Sequence, residues 1–309
     1  MGHDLDDILE LREDFLTELR QQNKSQGTID AYGRDIIYFR DFLVGRGLEP
    51  TSESFTKANI GAYIEDTLTR KNRRTGKALT PEYANRQYRS LQQFSKYLVR
   101  EELLAADPFV NMSPPAVPEK PVPVPPVDQL RQLLATCEGP GFEERRDTAI
   151  IRLFTDSGIR IGEMAPLDVE SLDFTENTVL VLGKGRRPRS APFGDKTRTA
   201  LRRYLRVRSG HTFAKGNPAL WLGRRGRMTG SGIQQAIERR AEQAGIDHIH
   251  PHQLRHFFAH NWLASGGQEQ DLMRLAGWRS RQMIGRYGAS VADERAREAH
   301  RRARLGDQL

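Results

Sequence analysis

The chain is short of several things. Its one cysteine, Cys137, excludes an internal disulfide framework and any multi-cysteine zinc site. Cys137 sits beside Leu133 and Leu134 and reads as buried filler. No window approaches the roughly 18 apolar residues of a membrane span. The opening MGHDLDDILELREDF is acidic and amphipathic, unlike a secretory signal or a transit peptide, so a cytosolic protein is expected. Acids are scarce in one region: between Lys184 and Arg240, sixteen Lys or Arg residues stand against two acids, Asp195 and Glu238. A solvated face normally mixes signs, so this bias predicts a surface that follows a polyanion backbone. Tyrosine is also thin late in the chain, where only Tyr204 and Tyr287 of the eight lie beyond residue 126.

What is present bounds the answer further. The 309 residues are 37% hydrophobic, enough for two domains with real cores. The net charge is +8 and the pI about 9.7, which points to nucleic acid as partner. Ile8, Leu11, Phe15 and Leu19 form one apolar stripe at helical spacing, and Ile29, Tyr32, Ile36, Phe39 and Leu43 a second. Thr28 is expected to cap that second helix, and Gly45 to Gly47 to end it. A third helix is expected over 57–70, and a fourth from Thr80-Pro81 through Leu98. The basic loop RKNRRTGK before it offers Arg73 and Arg74 as phosphate-backbone contacts, a plain solvated turn being the alternative, and Arg86 and Arg89 on the fourth helix are further candidates.

Residues 108–126 hold eight of the sixteen prolines. Proline lacks the amide donor and biases its predecessor toward extended backbone, so this stretch predicts a stiff connector. The expected organisation is a helical domain over 1–107, the linker over 108–126 and a second domain over 127–309. In the second, VLVL and SAPF flank the basic GKGRRPR as a β-hairpin, with Arg186, Arg187 and Arg189 as backbone contacts. Helices are expected over 195–208, 231–244, 252–264, 269–276 and 280–287, then a polar tail.

Three clusters carry chemistry. In DSGIRIGEM, the isoleucines flanking Arg160 are expected to draw its stem inward, with Glu163 one turn on as partner; a purely structural ion pair is the alternative. Lys184, between glycines at the hairpin tip, is either a turn lysine or an ammonium delivered to substrate. In IHPHQLRHFFAHNWLASGG, His252, His256 and His260 recur four residues apart around Arg255. That pattern fits a zinc site, a packed helix or an anion site; a metalloprotease would need glutamate where Gln253 stands. Downstream, LAGWRSRQMIGRYG carries Trp278 and Tyr287.

Together these boxes resemble the active site of the tyrosine recombinases, the family of phage integrases and of Xer-type and Cre-type enzymes. The resemblance spans nearly the whole chain and places the catalytic set on Arg160, Lys184, His252, Arg255, Trp278 and Tyr287, supported by Glu163 and His256. One departure is tryptophan where most members have histidine after the LAG glycine, as in Cre-type enzymes. The resemblance implies a mainly α fold: a four-helix, SAM-like core-binding domain, then a mostly helical catalytic domain with a small antiparallel sheet, the DNA breaking-rejoining fold. It implies a 3′-phosphotyrosyl intermediate on double-stranded DNA, with neither metal nor cofactor and no ATP. It also implies a homotetramer exchanging tails over about 289–309, with accessory directionality factors a further expectation. A simple recombinase is expected, without the arm-binding domain of lambda-type integrases. The alternatives are a topoisomerase of the IB type, a catalytically dead DNA-binding regulator and a metal-dependent nuclease.

Overall fold

The computed structural model describes residues 7–72, 75–118, 123–183, 187–247, 249–278, 280, 284, 296–297 and 300–303. The chain divides into two compact units, Met1–Glu119 and Lys120–Leu309. Lys184, Arg186, Tyr287, Arg73 and Arg74 lie outside the described residues, as does most of the tail and of the helix expected over 280–287.

The first unit is built on α1 (Ile8–Gln21), α2 (Gln26–Gly45), α3 (Lys57–Thr69) and α4 (Pro81–Arg100). The expected apolar stripes are the ones that bury, with Ile8, Ile36, Phe39 and Leu43 fully inside. Side-chain caps start all four helices: Asp7 accepts from the Leu9 amide, Ser25 from Thr28, Thr56 from Asn59 and Thr80 from Tyr83. The cap of α2 is thus Ser25, three residues before the expected Thr28. Aromatic rings fill the centre edge to face, Phe39 lying 5.3 Å from Phe55 and 5.4 Å from Tyr63.

One buried polar network crosses this core. Asp35 is fully buried on α2 and accepts from Ser90 Oγ at 2.6 Å and Gln87 Nε2 at 2.9 Å, while Arg86 reaches it at 3.1 Å. Burial raises the Asp35 carboxyl above its ordinary value, against the pull of Ser90 and Arg86. Arg86, expected as a DNA contact, is therefore engaged with Asp35 and with the Tyr83 ring at 4.9 Å. Arg89 stays on the exposed face of α4.

The proline-rich stretch is not spacer throughout. Phe109 is buried in the first unit's core, 4.9 Å from the Tyr88 ring, and Tyr88 Oη donates to the Met112 carbonyl at 2.9 Å. Asn85 holds the Pro115 carbonyl at 2.9 Å. A large apolar ring among prolines buries as readily as any other.

The second unit is organised around α6 (Phe142–Ser157), which packs against α8 (Asp195–Arg208), α9 (Gly230–Gln243) and α10 (Pro251–Ala264). Further helices of this unit are α5 (Val127–Ala135), the single turn α7 (Ile161–Met164) and α11 (Glu269–Ala276). Strands β1 (Leu172–Asp173), β2 (Thr178–Leu182) and β3 (Pro188–Pro192) form an antiparallel sheet with Val179 opposite Ala191. Val179 and Val181 bury while Leu180 and Leu182 face out, the period-two pattern of a half-buried sheet. A second small ladder pairs β4 (Leu222–Gly223) with β5 (Gly226–Arg227). The expected hairpin thus acquires a third strand and a separate neighbour.

Some of the basic run turns inward. Arg208 donates to the Ala219, Leu220 and Asn217 carbonyls, and Arg240 holds buried Asp147 at 2.9 Å. Arg187, Arg202, Arg203, Arg206, Arg224 and Arg225 remain exposed. Among the described residues no helix is long and apolar enough to cross a membrane.

Candidate active site

The site is assembled where α6, α10 and α11 end or begin beside α7. Gly158 ends α6 at φ +59°, in the left-handed region, and a Cβ there would stand 2.2 Å from the Phe258 ring. Glycine is required on both counts. Gly158→Ala is expected to cost about 3 kcal/mol, combining left-handed strain with overpacking. Thermal unfolding checks this, and an unchanged midpoint would show that the turn relaxes freely.

Beyond this turn Ile159 is fully buried, but the Arg160 side chain is 41% exposed. The expectation of a buried Arg160 is corrected: the buried member of the pair is Glu163, at 5%. One isoleucine anchors the backbone, and the next side chain turns outward. Glu163 accepts the Arg160 amide at 2.8 Å and its Nη1 at 3.0 Å. It also accepts both prongs of the Arg189 guanidinium, at 2.8 and 2.9 Å.

Arg189 is a second correction. Expected on the DNA surface, its side chain is only 14% exposed, and its Nε donates to the Leu275 carbonyl at 2.9 Å. Burial pushes the Glu163 carboxyl up, but the Arg189 hydrogen bonds and the Arg160 amide outweigh it and hold the group below its ordinary value. A depressed carboxyl contributes stability that is present above its unfolded value and lost as pH falls through its folded one. Glu163→Gln should therefore lower the unfolding midpoint at neutral pH by the equivalent of about 3 kcal/mol. The gap should narrow below about pH 4. A gap independent of pH would show that the charge is not what stabilises.

In α10, Pro251 takes the first helical position and the Gln253 side chain accepts the His250 amide at 2.9 Å. Gln253 thus caps the helix. His252 is exposed in the first turn, and its ring meets the edge of the buried His256 ring at 4.5 Å. No cluster of three or more His, Cys, Asp or Glu side chains suited to a metal ion occurs among the described residues. Arg255, one turn on, is 2% exposed. Its Nη1 donates to the Gly158 carbonyl, its Nη2 to the Ala276 carbonyl at 2.7 Å, and its guanidinium lies 5.4 Å from the centre of the buried Trp278 ring.

The carboxyl end of α11 is where these arms meet. A helix ends with carbonyls that have no partner within it and with partial negative charge, which favours cations. Here three consecutive carbonyls each receive a guanidinium: Leu275 from Arg189, Ala276 from Arg255, and Gly277 from Arg160 at 3.5 Å. Gly277 closes the helix at φ +64°, and a Cβ on it would stand 3.2 Å from the Arg189 guanidinium. Three guanidiniums against one carboxylate leave local positive excess beside exposed Arg160 and His252, an electrostatic setting for an anion.

Sequence reasoning found the members of this hub, except that it assigned Arg189 elsewhere and missed the carbonyl end that gathers them. Gly277, on which a Cβ would crowd the Arg189 guanidinium, was the available signal. The structure does not describe Lys184 or Tyr287; Gly183, just before Lys184, closes the hairpin by donating to the Arg187 carbonyl at 2.9 Å.

A mostly helical domain with a small antiparallel sheet and converging arginines defines a class, and comparison gives it a name. The phage integrase family model matches residues 126–294. The chain belongs to that family, and is a tyrosine-type site-specific DNA recombinase. It is 32% identical over 281 residues to tyrosine recombinase XerC of Alcanivorax borkumensis, covering 90% of this chain and 88% of that one. It is 33% identical over 268 residues to XerC of Pseudomonas aeruginosa PAO1, covering 85% and 84%. The fold matches the Tn1549 transposon integrase in complex with transposon right end DNA at a TM-score of 0.72, with 18% identity over 96% of this chain and 99% of that one. It also matches the XerH recombinase bound to palindromic difH substrate at 0.71, with 15% identity over 95% and 84%.

Proposed function

We propose that this recombinase cuts and rejoins duplex DNA through a 3′-phosphotyrosyl link on Tyr287, without metal or ATP. The observation that carries the reading is the convergence of Arg160 and Arg255 on the adjacent carbonyls of Gly277 and Ala276. Two guanidiniums at one spot pair with the non-bridging oxygens of one phosphate. Their attraction grows as negative charge builds on those oxygens in the pentavalent transition state, which is where binding accelerates reaction.

The Tyr287 oxygen attacks phosphorus while its proton passes to His252, which is exposed at the start of α10. The bond from phosphorus to the 5′ oxygen breaks, and Lys184 protonates that leaving oxygen. Trp278 flanks the Arg255 guanidinium and donates its indole N–H toward the phosphate; His256 supports His252 from behind. A 5′ hydroxyl of another strand then attacks the phosphotyrosyl ester, releasing Tyr287. The ester conserves the diester's energy, so no external energy source is needed.

Residues 1–107 serve as the core-binding domain, contacting duplex DNA through Arg89 and the loop holding Arg73 and Arg74. Residues 108–126 serve as linker, seated on the first unit as far as Pro115, and 127–309 as catalytic domain, with Arg186 and Arg187 contacting the backbone. Four copies act together on two DNA sites, exchanging the tail over 289–309.

The test uses two duplexes carrying the recombination site, distinguishable by length, and beside them a supercoiled plasmid carrying it, each incubated with the full chain in chelator and without ATP. Recombinant products joining the two duplexes are expected. Supercoil relaxation alone would favour a topoisomerase, and cleavage abolished by the chelator a metal-dependent nuclease.

A further inference from the structure

We infer that Arg189 is a positioning residue for strand cleavage, a clamp that sets where Arg160 and Arg255 point; the inference rests on the reading of that pair as the phosphate grip. Arg189 is contributed by β3, yet it binds Glu163 across 26 positions and Leu275 across 86. Its two prongs occupy both oxygens of Glu163, the carboxylate that holds the Arg160 amide and Nη1. Its Nε fixes Leu275, immediately before the carbonyls that receive Arg255 and Arg160. One planar group therefore joins both arms of the grip.

Two further observations fit a built niche. The Arg189 guanidinium lies 3.2 Å from where a Gly277 Cβ would be, closer than side chains ordinarily pack, so that glycine makes room for it. Arg189 also carries the charge balance. With Arg189 in place, Glu163 is satisfied by a guanidinium that faces away from solvent, and exposed Arg160 keeps donors for substrate. Without it, Glu163 turns its second oxygen on Arg160 and neutralises the group meant for the phosphate. Lysine cannot replace it fully, since a point charge does not span two carboxylate oxygens and a carbonyl.

The experiment compares single-turnover cleavage by the full chain on suicide duplexes. One carries an ordinary scissile phosphate; the other carries a methylphosphonate there, whose neutral phosphorus centre relaxes the demand for guanidiniums. Arg189→Gln is expected to slow phosphodiester cleavage on the order of 10²-fold, as a displaced catalytic group does. DNA affinity should stay within about threefold, a loss in rate rather than in binding. On methylphosphonate the deficit should shrink to about fivefold or less, as for Arg160→Ala. Arg189→Lys should fall between; if Arg189→Gln does not fold, Arg189→Lys carries the same comparison. Recovery of Arg160→Ala but not of the Arg189 variants would overturn the clamp and leave the phosphate grip standing. Recovery of neither would overturn the grip, and the clamp with it. Weakened DNA binding at an unchanged cleavage rate would return Arg189 to the role of a backbone contact.

Discussion

Tyr287→Phe is expected to abolish the covalent protein–DNA adduct and strand exchange while leaving DNA binding intact. The change removes one oxygen and keeps the ring, so packing is nearly conserved. On the proposed mechanism what goes is the nucleophile, and neither the Arg160 guanidinium nor the Trp278 indole N–H can form the ester in its place. The drop should be about 10⁴-fold or more, the scale on which covalent catalysis fails without its nucleophile. Denaturing gels of suicide-substrate reactions read the adduct, and mobility shift reads binding. An adduct formed by the variant at the wild-type rate would remove Tyr287 from the mechanism.

The second large effect separates two arginines that the chemistry treats alike and the fold does not. Arg160 is 41% exposed and shares Glu163 with Arg189, which grips that carboxylate with two prongs. Arg160→Ala should slow cleavage on the order of 10³-fold, the upper range for losing one preorganised donor to the transition state. It should cost stability about 1 kcal/mol or less, because half-exposed ion pairs contribute little. Arg255 is 2% exposed and supplies donors to the Gly158 and Ala276 carbonyls. Arg255→Ala should remove activity and also destabilise by about 3 kcal/mol, from buried carbonyls left without donors and from lost volume. Thermal unfolding beside single-turnover rates separates the two. Equal destabilisation by both would mean that exposure at the site is not what divides them.

Much of this arrangement was legible in the residues, and the failures have definite causes. Amphipathic stripes and a proline after threonine mark α1, α2 and α4 because burial selects one face of a regular helix. The two-residue strands β1, β4 and β5 leave no alternation to read, since a period needs several repeats. Arg160 was expected inside because isoleucines flank it, yet adjacent residues need not point the same way: Ile159 took the core position. Excess basic charge does not by itself mark surface: Arg189, Arg208 and Arg240 turn inside, each held by a carbonyl or carboxylate on another part of the chain. Such partners are set by tertiary folding alone. The helix end at Leu275 to Gly277 is equally silent in sequence, because main-chain carbonyls carry no residue code.

A phosphotyrosyl mechanism predicts one chemical product above all others, a nucleotide esterified to the Tyr287 side chain. Trapping the reaction on a suicide duplex in chelator, digesting the DNA and the protein, and determining the mass of the modified tryptic peptide tests it directly. The peptide 287–295, YGASVADER, should carry the added nucleotide through its tyrosine with the phosphate on the 3′ side. A nucleotide on any other peptide, or joined through a 5′ phosphate, would contradict the account.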